Sequence, residues 1–209
     1  MRIGIIGSGN IGGTLGRLWA GANHTVTFTS RHPEKLEPLA AEAGVNAHVG
    51  ELRKTVEWND ILLLAAPFRA LEEAFAPMAD RFSGKFVIDA MNPFPDRDGA
   101  IAEKALAKSA AVLQTAELLP YARLVRAFSN VYFKVLQAEA NREGQRVAIP
   151  FAGNDPEAKE VARGLIADAG FDPYDIGSLH DSKPIDPDGA LFKTSYTVKE
   201  LEKALAAAQ

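Results

Sequence analysis

The sequence predicts an α/β fold, a doubly wound and mostly parallel sheet of seven to eight strands with a short carboxyl-terminal helical extension. Three observations carry that prediction. Short apolar runs alternate with helical patterns along most of the 209 residues. The first run, from Arg2 to Ile6, feeds Gly7, Gly9 and Gly12 at G-x-G-x-x-G spacing, with a helical pattern (Ile11, Leu15, Leu18, Trp19) and a second strand (His24–Thr29) after it. At 47% hydrophobic and 24% charged residues, the chain has enough apolar surface for one sizeable core.

In order, the strand from Arg2 and the helix from Ile11 are followed by the His24–Thr29 strand. A helix over Pro33–Ala43 leads to a short strand at Val45–Val49, and a helix over Glu51–Trp58 leads to Asp60–Ala66, apolar enough for burial on both faces. A helix over Ala70–Arg81 precedes a strand at Lys85–Ala90. Two short helices, Ala100–Lys108 and Thr115–Leu119, separate it from a strand at Leu124–Phe128. Val147–Ala152 is a strand, Asn154-Asp-Pro156 opens a helix with a capping side chain and a first-turn proline, and Asp172–Ile176 closes the sheet. Gly177–Gly189, rich in Asp, Pro and Ser, reads as a loop. Thr197-Val-Lys-Glu200 is a capping box opening a terminal helix to about Ala207. The expected division is a Rossmann-type nucleotide-binding domain over 1–176 and a carboxyl-terminal segment over 177–209 that completes an acceptor site.

The glycine spacing has a physical reading. Gly7 permits the tight turn, Gly9 leaves room for a pyrophosphate, and Gly12 lets the helix pack on the strand. Gly7, Ser8, Gly9, Asn10, Ile11 and Gly12 thus form the expected cradle, where free N–H groups and aligned peptide dipoles meet an anion. NAD sites place a carboxylate at the tip of the second strand. This chain has Thr29-Ser30-Arg31-His32-Pro33-Glu34-Lys35 there. Ser30, Arg31 and Lys35 would hold a 2′-phosphate, so NADP(H) is the expected cofactor; the same residues also fit a helix cap with solvated cations. At the carboxyl ends of the middle strands, Ala65, Ala66 and Pro67 would let a ribose and nicotinamide lie flat. Asn92 and Asn130 would bond a carboxamide or substrate carbonyl, or simply end their strands.

Alcohol dehydrogenation needs a proton acceptor near the nicotinamide. Of four histidines, His24 and His32 belong to the adenosine half and His48 ends an edge strand, which leaves His180 in the late loop as a weak candidate. Tyr121 and Tyr132 are further donors, without a Tyr-x-x-x-Lys arrangement or a metal-ligand cluster. Hydride exchange between NADPH and a flavin-like ring needs only juxtaposition of donor and acceptor atoms, and a site without an evident acid or base favours it.

A net charge of −4 argues against a nucleic-acid partner. No apolar run reaches 18 residues and no basic leader precedes one, so a soluble, cytoplasmic chain without membrane partners is expected. The absence of cysteine excludes disulfides and thiol chemistry. The Leu201 and Leu205 stripe of the terminal helix would pack across a homodimer axis or back on its own core.

The glycine turn, Ser30-Arg31 with Lys35, Ala66-Pro67, Asn92-Pro93, Ala127-Phe-Ser-Asn130 and Asp175-Ile-Gly177 resemble the NADP oxidoreductases dependent on the deazaflavin coenzyme F420. The likeness runs over nearly the whole chain. It implies a dinucleotide-binding sheet with a small extension, direct hydride transfer between NADPH and the deazaflavin as small-molecule acceptor, a 2′-phosphate on Ser8, Ser30, Arg31 and Lys35, and Pro67 near the nicotinamide; a free flavin is the alternative co-substrate. Archaeal members differ in a longer glycine turn, a threonine at the Ser8 position and another segment in place of Asn92–Pro95. Imine reductases, pyrroline-carboxylate reductases and 6-phosphogluconate-type dehydrogenases complete their sites with a long helical domain, whereas 33 residues follow Ile176 here. A ferric or flavin reductase and a non-enzymatic NADP(H) sensor are the remaining alternatives.

Overall fold

Strand β1 (Arg2–Ile6) lies inside an eight-stranded sheet, and its residues show why. Ile3 and Ile5 pack into one face's core while Ile6 packs into the other. The computed structural model describes residues 1–207. With β2 (Thr25–Thr29), β3 (Ala47–Val49), β4 (Ile61–Leu64), β5 (Phe86–Asp89), β6 (Arg123–Ala127), β7 (Ala148–Gly153) and β8 (Asp172–Asp175), the strand order is 3-2-1-4-5-6-7-8. The first six strands are parallel, β7 runs antiparallel to β6, and β8 is parallel to β7.

Helix α1 (Asn10–Gly21), α2 (Glu37–Ala43) and α3 (Leu52–Trp58) link β1 to β4; α4 (Pro95–Asp98), α5 (Ala100–Leu106) and α6 (Val112–Leu118) lie between β5 and β6. Helix α7 (Phe133–Glu139) precedes β7, α8 (Pro156–Asp168) connects β7 to β8, and α9 (Val198–Ala207) follows. One core joins α1 and α8 to the sheet, where Trp19 meets Phe128 edge-on at 6.0 Å and donates its indole N–H to Leu165 O. The opposite core holds Leu62, Leu64, Phe68, Phe75, Phe82 and Val112. Both faces of β4 are buried, as its unbroken apolar run requires.

Asp155 caps α8 by accepting the N–H groups of Glu157 and Ala158, and the Thr197–Glu200 box opens α9. Leu201 is buried against the chain's own Ala148, Ile185 and Leu191.

Several expectations fail. The segment over 70–81 is not an α-helix. It forms a π-helical turn (Leu71–Phe75) and a 3-10 segment (Ala76–Phe82) with a kink at Met78. Pro77 is the cause, because it lacks the N–H that would bond Glu73 O and its ring clashes there. Pro33–Ala43 divides into a 3-10 turn (Pro33–Lys35) and α2. Helices α4 and α7 were not expected. Helix α7 lies between β6 and β7, which pair antiparallel. Gly177–Gly189 is no open loop. It contains a 3-10 segment (Leu179–Ile185) with its own Ser178–Asp181 capping box, and Asp186 is fully buried.

Asp186 is buried with Arg126, the fourth of the five residues of β6, which is buried too. Arg126 donates to Asp89 (3.2 Å), Asp186 (3.1 Å), Asn92 Oδ1 (3.1 Å) and Met91 O. Thr115 Oγ1 and the Met91 N–H donate to Asp89, and the Ala111 N–H donates to Asp186. Burial pushes the Asp89 carboxyl above the usual carboxylate range, against the pull of Arg126, Thr115 and Met91.

Arg126→Met would strand two buried carboxylates and is expected to cost about 3–5 kcal/mol of unfolding free energy at pH 7 in urea titrations. Because the native Asp89 pKa is raised, its stability contribution is greatest below the unfolded pKa and falls as pH rises; the variant's deficit should therefore narrow on acidification. Arg123 has the opposite signature. Its ion pair holds Asp155 down to about 2, so that stability is present above pH 4 and is lost as pH falls toward 2. Arg123→Met should flatten that acid limb in thermal melts.

Candidate active site

Gly7 leaves β1 at φ 97°, a conformation open to glycine, and its N–H donates to Thr29 O at the end of β2. A Cβ on Gly7 would stand 2.5 Å from Ala66 N, and one on Gly12 2.0 Å from Gly7 O. Nothing lies within 4 Å of a Cβ built on Gly9. The turn is therefore closed tightly on its protein side and open above Gly9. Helix α1 starts there with Gly9 at its cap, no side-chain cap and no acidic residue in its first turn, which leaves its first N–H groups for an anion.

This turn forms one wall of a cleft of about 630 Å³ at the carboxyl ends of the parallel strands. Gly7, Ser8 and Gly9 line it from β1, Thr29, Ser30 and Arg31 from β2, and Ala65, Ala66, Pro67 and Arg69 from β4. Glu51, Leu52, Glu73 and Phe75, none of them anticipated from the sequence, complete the wall. Ser8 Oγ donates to Thr29 O, and Ser30 Oγ accepts the His32 N–H, which fixes the β2 tip. Thr29 Oγ1 is buried without a partner, the kind of orphan a bound ligand or water satisfies. Among the described residues no carboxylate pairs with Arg31, although His32 and Glu34 lie 3.4 Å apart beside it. Open space above Gly9, free helix N–H groups and an unpaired guanidinium fit a phosphorylated dinucleotide.

Other expected residues sit elsewhere. Asn10 and Ile11 open α1 rather than line the cleft: Asn10 O accepts the Thr14 hydroxyl, and Ile11 packs on the core. Lys35 lies exposed in the 3-10 turn and does not line the cleft. Asn92 and Asn130 are committed inward. Asn92 donates to Ser129 O and accepts from Arg126, while Asn130 is buried and donates to Leu191 O at 3.4 Å. His180 is exposed and lies 3.2 Å from the Ser109 hydroxyl, outside the cleft. Tyr121 and Tyr132 are exposed and do not line it either.

Asp98 organises the segment after β5. Burial raises its carboxyl, but hydrogen bonds from Arg97 and from the N–H groups of Phe94 and Arg69 outweigh that and hold it below the usual range. Arg69 lines the cleft and also donates to Arg97 O, so the two regions adjoin. Pro67 and Arg69 line the cleft, whereas Asn92, Phe94, Asn130 and Tyr132 do not. Phe94 meets Phe192, which lies beyond the 177–189 segment. The nearest sequence signal was an aromatic flanked by Leu191 and Lys193 in an otherwise polar stretch. For Arg126 and Asp89 the signal was a charge in each of two buried strands.

Residues 2–93 match the family described as NADP oxidoreductase, coenzyme F420-dependent. The metalloreductase STEAP3 of Rattus norvegicus is 26% identical over 185 residues, 88% of this chain and 36% of that protein, so the chain spans about a third of this curated relative. A hypothetical protein of Sinorhizobium meliloti shares the fold at a TM-score of 0.79 and 24% identity, covering 94% of this chain and 95% of that one. An Arthrobacter sp. FB24 protein, described as a candidate F420-dependent NADP-reductase, does so at 0.73 and 20% identity, covering 94% and 99%. No helix among the described residues is long and apolar enough to cross a membrane.

Glycine substitutions separate packing from ligand space. Gly12→Ala should unfold the turn and lower the melting temperature. Gly9→Ala should melt like the parent yet bind NADPH at least tenfold more weakly in fluorescence titration, because its methyl group enters the open space.

Proposed function

We propose that the chain binds NADP(H) in the cleft and passes hydride from NADPH to a planar deazaflavin or flavin-like acceptor at the adjoining edge. The observation that carries this is the pairing of an open glycine turn with Ser30 and Arg31 at the β2 tip. Gly7, Ser8 and Gly9 would cradle the pyrophosphate, Ser30 and Arg31 the 2′-phosphate, and Ala65–Pro67 the ribose and nicotinamide. Bound NADPH supplies two electrons and a proton as hydride, and leaves as NADP⁺.

The residues lining the cleft include no histidine, tyrosine or lysine. That lining suits direct transfer between stacked rings, in which the protein aligns the reacting atoms and excludes water. Asn92 and Asn130, held inward, would shape the edge rather than bond the carboxamide. A second reading, reduction of free flavin or ferric iron, is favoured by the likeness to rat metalloreductase STEAP3.

Two measurements test the reading. Arg31→Ala should weaken NADPH binding about tenfold to a hundredfold, for a charged hydrogen bond of about 1.5–3 kcal/mol, with NADH binding unchanged. An unchanged NADPH affinity would contradict the phosphate assignment. In anaerobic stopped-flow absorbance with NADPH and coenzyme F420, FMN or FAD, rapid oxidation with the deazaflavin alone is expected. Oxidation with the flavins alone favours the second reading, and binding without oxidation contradicts both.

A further inference from the structure

Among the described residues, four that are not glycine occupy the left-handed region of the backbone. Asn23 and Asn141 are ordinary occupants, with short amides that favour it. The other two, Phe128 at φ 62° and Lys193 at φ 59°, are bulky. The segment that carries Lys193 meets the chain two residues beyond Phe128. The Lys193 N–H donates to Asn130 O at 2.6 Å, and the Asn130 amide donates to Leu191 O. Backbone of this kind persists where the surroundings over-determine it, and it concentrates at ligand sites.

The conformation presents Phe192 and Lys193. The Phe192 ring stands 6.4 Å from the Phe94 ring at a 59° tilt, and the Lys193 ammonium lies 5.2 Å from the Phe192 ring centre. Arg97 covers Phe94 at 5.0 Å but is committed to Asp98 and to Asn92 O. Lys193 makes no ion pair among the described residues. Phe94 remains 37% exposed, an unusual exposure for a phenyl ring in a segment pinned by a buried carboxylate. Arg69 joins this pair to the cofactor cleft.

We propose that Phe94, Phe192 and Lys193 form the shelf on which the hydride acceptor rests, and that the shelf selects a planar conjugated ring bearing an anionic group. The ring would pack against the two phenyl groups and the anion would meet the Lys193 ammonium. Arg97 holds Phe94 in place and leaves the charge selection to Lys193. This rests on the hydride-transfer reading above and names what that edge recognises.

FMN and riboflavin share one ring system and differ by a phosphate, so flavin fluorescence titrations of the NADP⁺-loaded protein separate the two contacts. The parent should bind FMN at least fivefold more tightly than riboflavin. Lys193→Glu should abolish that preference. So should Lys193→Gly, which relieves the left-handed backbone and so keeps the segment folded. Phe192→Ala should weaken both ligands tenfold or more, with NADP⁺ affinity held within twofold. Equal affinity of the parent for FMN and riboflavin, no flavin binding by the parent, or parent-like binding by the variants would overturn the shelf. Reduction of bound ligand by NADPH is scored separately. Coenzyme F420 that binds as predicted but is never reduced by NADPH refutes hydride transfer and leaves the shelf standing, whereas F420 reduction that ignores all three substitutions refutes the shelf alone.

Discussion

A buried guanidinium decides how the carboxyl edge of this sheet is built. Arg126 points from β6 into a space with two carboxylates, Asp89 from the neighbouring strand and Asp186 from the carboxyl-terminal segment, and also bonds Met91 O and Asn92 Oδ1. Charges taken out of water contribute less net stability than well-packed apolar groups of the same volume would. Their leverage is positional, since removal of one leaves the others uncompensated. Through Asp186 and the Ala111 N–H it receives, the network docks the segment after β8 onto α6 and the sheet. Through Asn92 it fixes the turn that carries Phe94. The turn that carries Phe94 and the docked carboxyl-terminal segment are thus assembled around one cation.

The candidate cleft follows a different physical rule. Its shape is set by steric closeness of backbone, with Gly7 against Ala66 and Gly12 against Gly7, and its polarity by groups left unpaired at the open side. No large side chain must move to admit a phosphate above Gly9. The π-helical turn and kink that Pro77 imposes bring Glu73 and Phe75 to the far wall, where a regular helix would have run past. One side of the molecule carries the open glycine turn and the other the charge-locked turn of Phe94, and Arg69 bridges them.

Features governed by local constraints were legible in the sequence. The glycine turn, the doubly buried β4, the Asp155 cap and the Thr197–Glu200 box each depend on a few adjacent residues, and each stands where the pattern placed it. Features decided by distant partners were not. Apolar alternation does not encode strand direction, so the reversal of β7 was not legible. An asparagine at a strand end reads alike whether its amide faces a cleft or a neighbouring loop, and both Asn92 and Asn130 face loops. Arg126 and Asp186 are 60 residues apart, and a proline-rich stretch gives no sign that its aspartate is destined for the core. Phe192 lacked any periodicity that would set it opposite Phe94.

The central claim is that the protein aligns two rings for direct hydride transfer. It is tested most directly by following deuterium from NADPH labelled at carbon 4, one stereoisomer at a time, into coenzyme F420 under anaerobic conditions. The account predicts that one stereoisomer delivers its deuterium to a carbon of the reduced deazaflavin and the other retains it. Reduction with the label released to water from both, or no reduction at all, would contradict it.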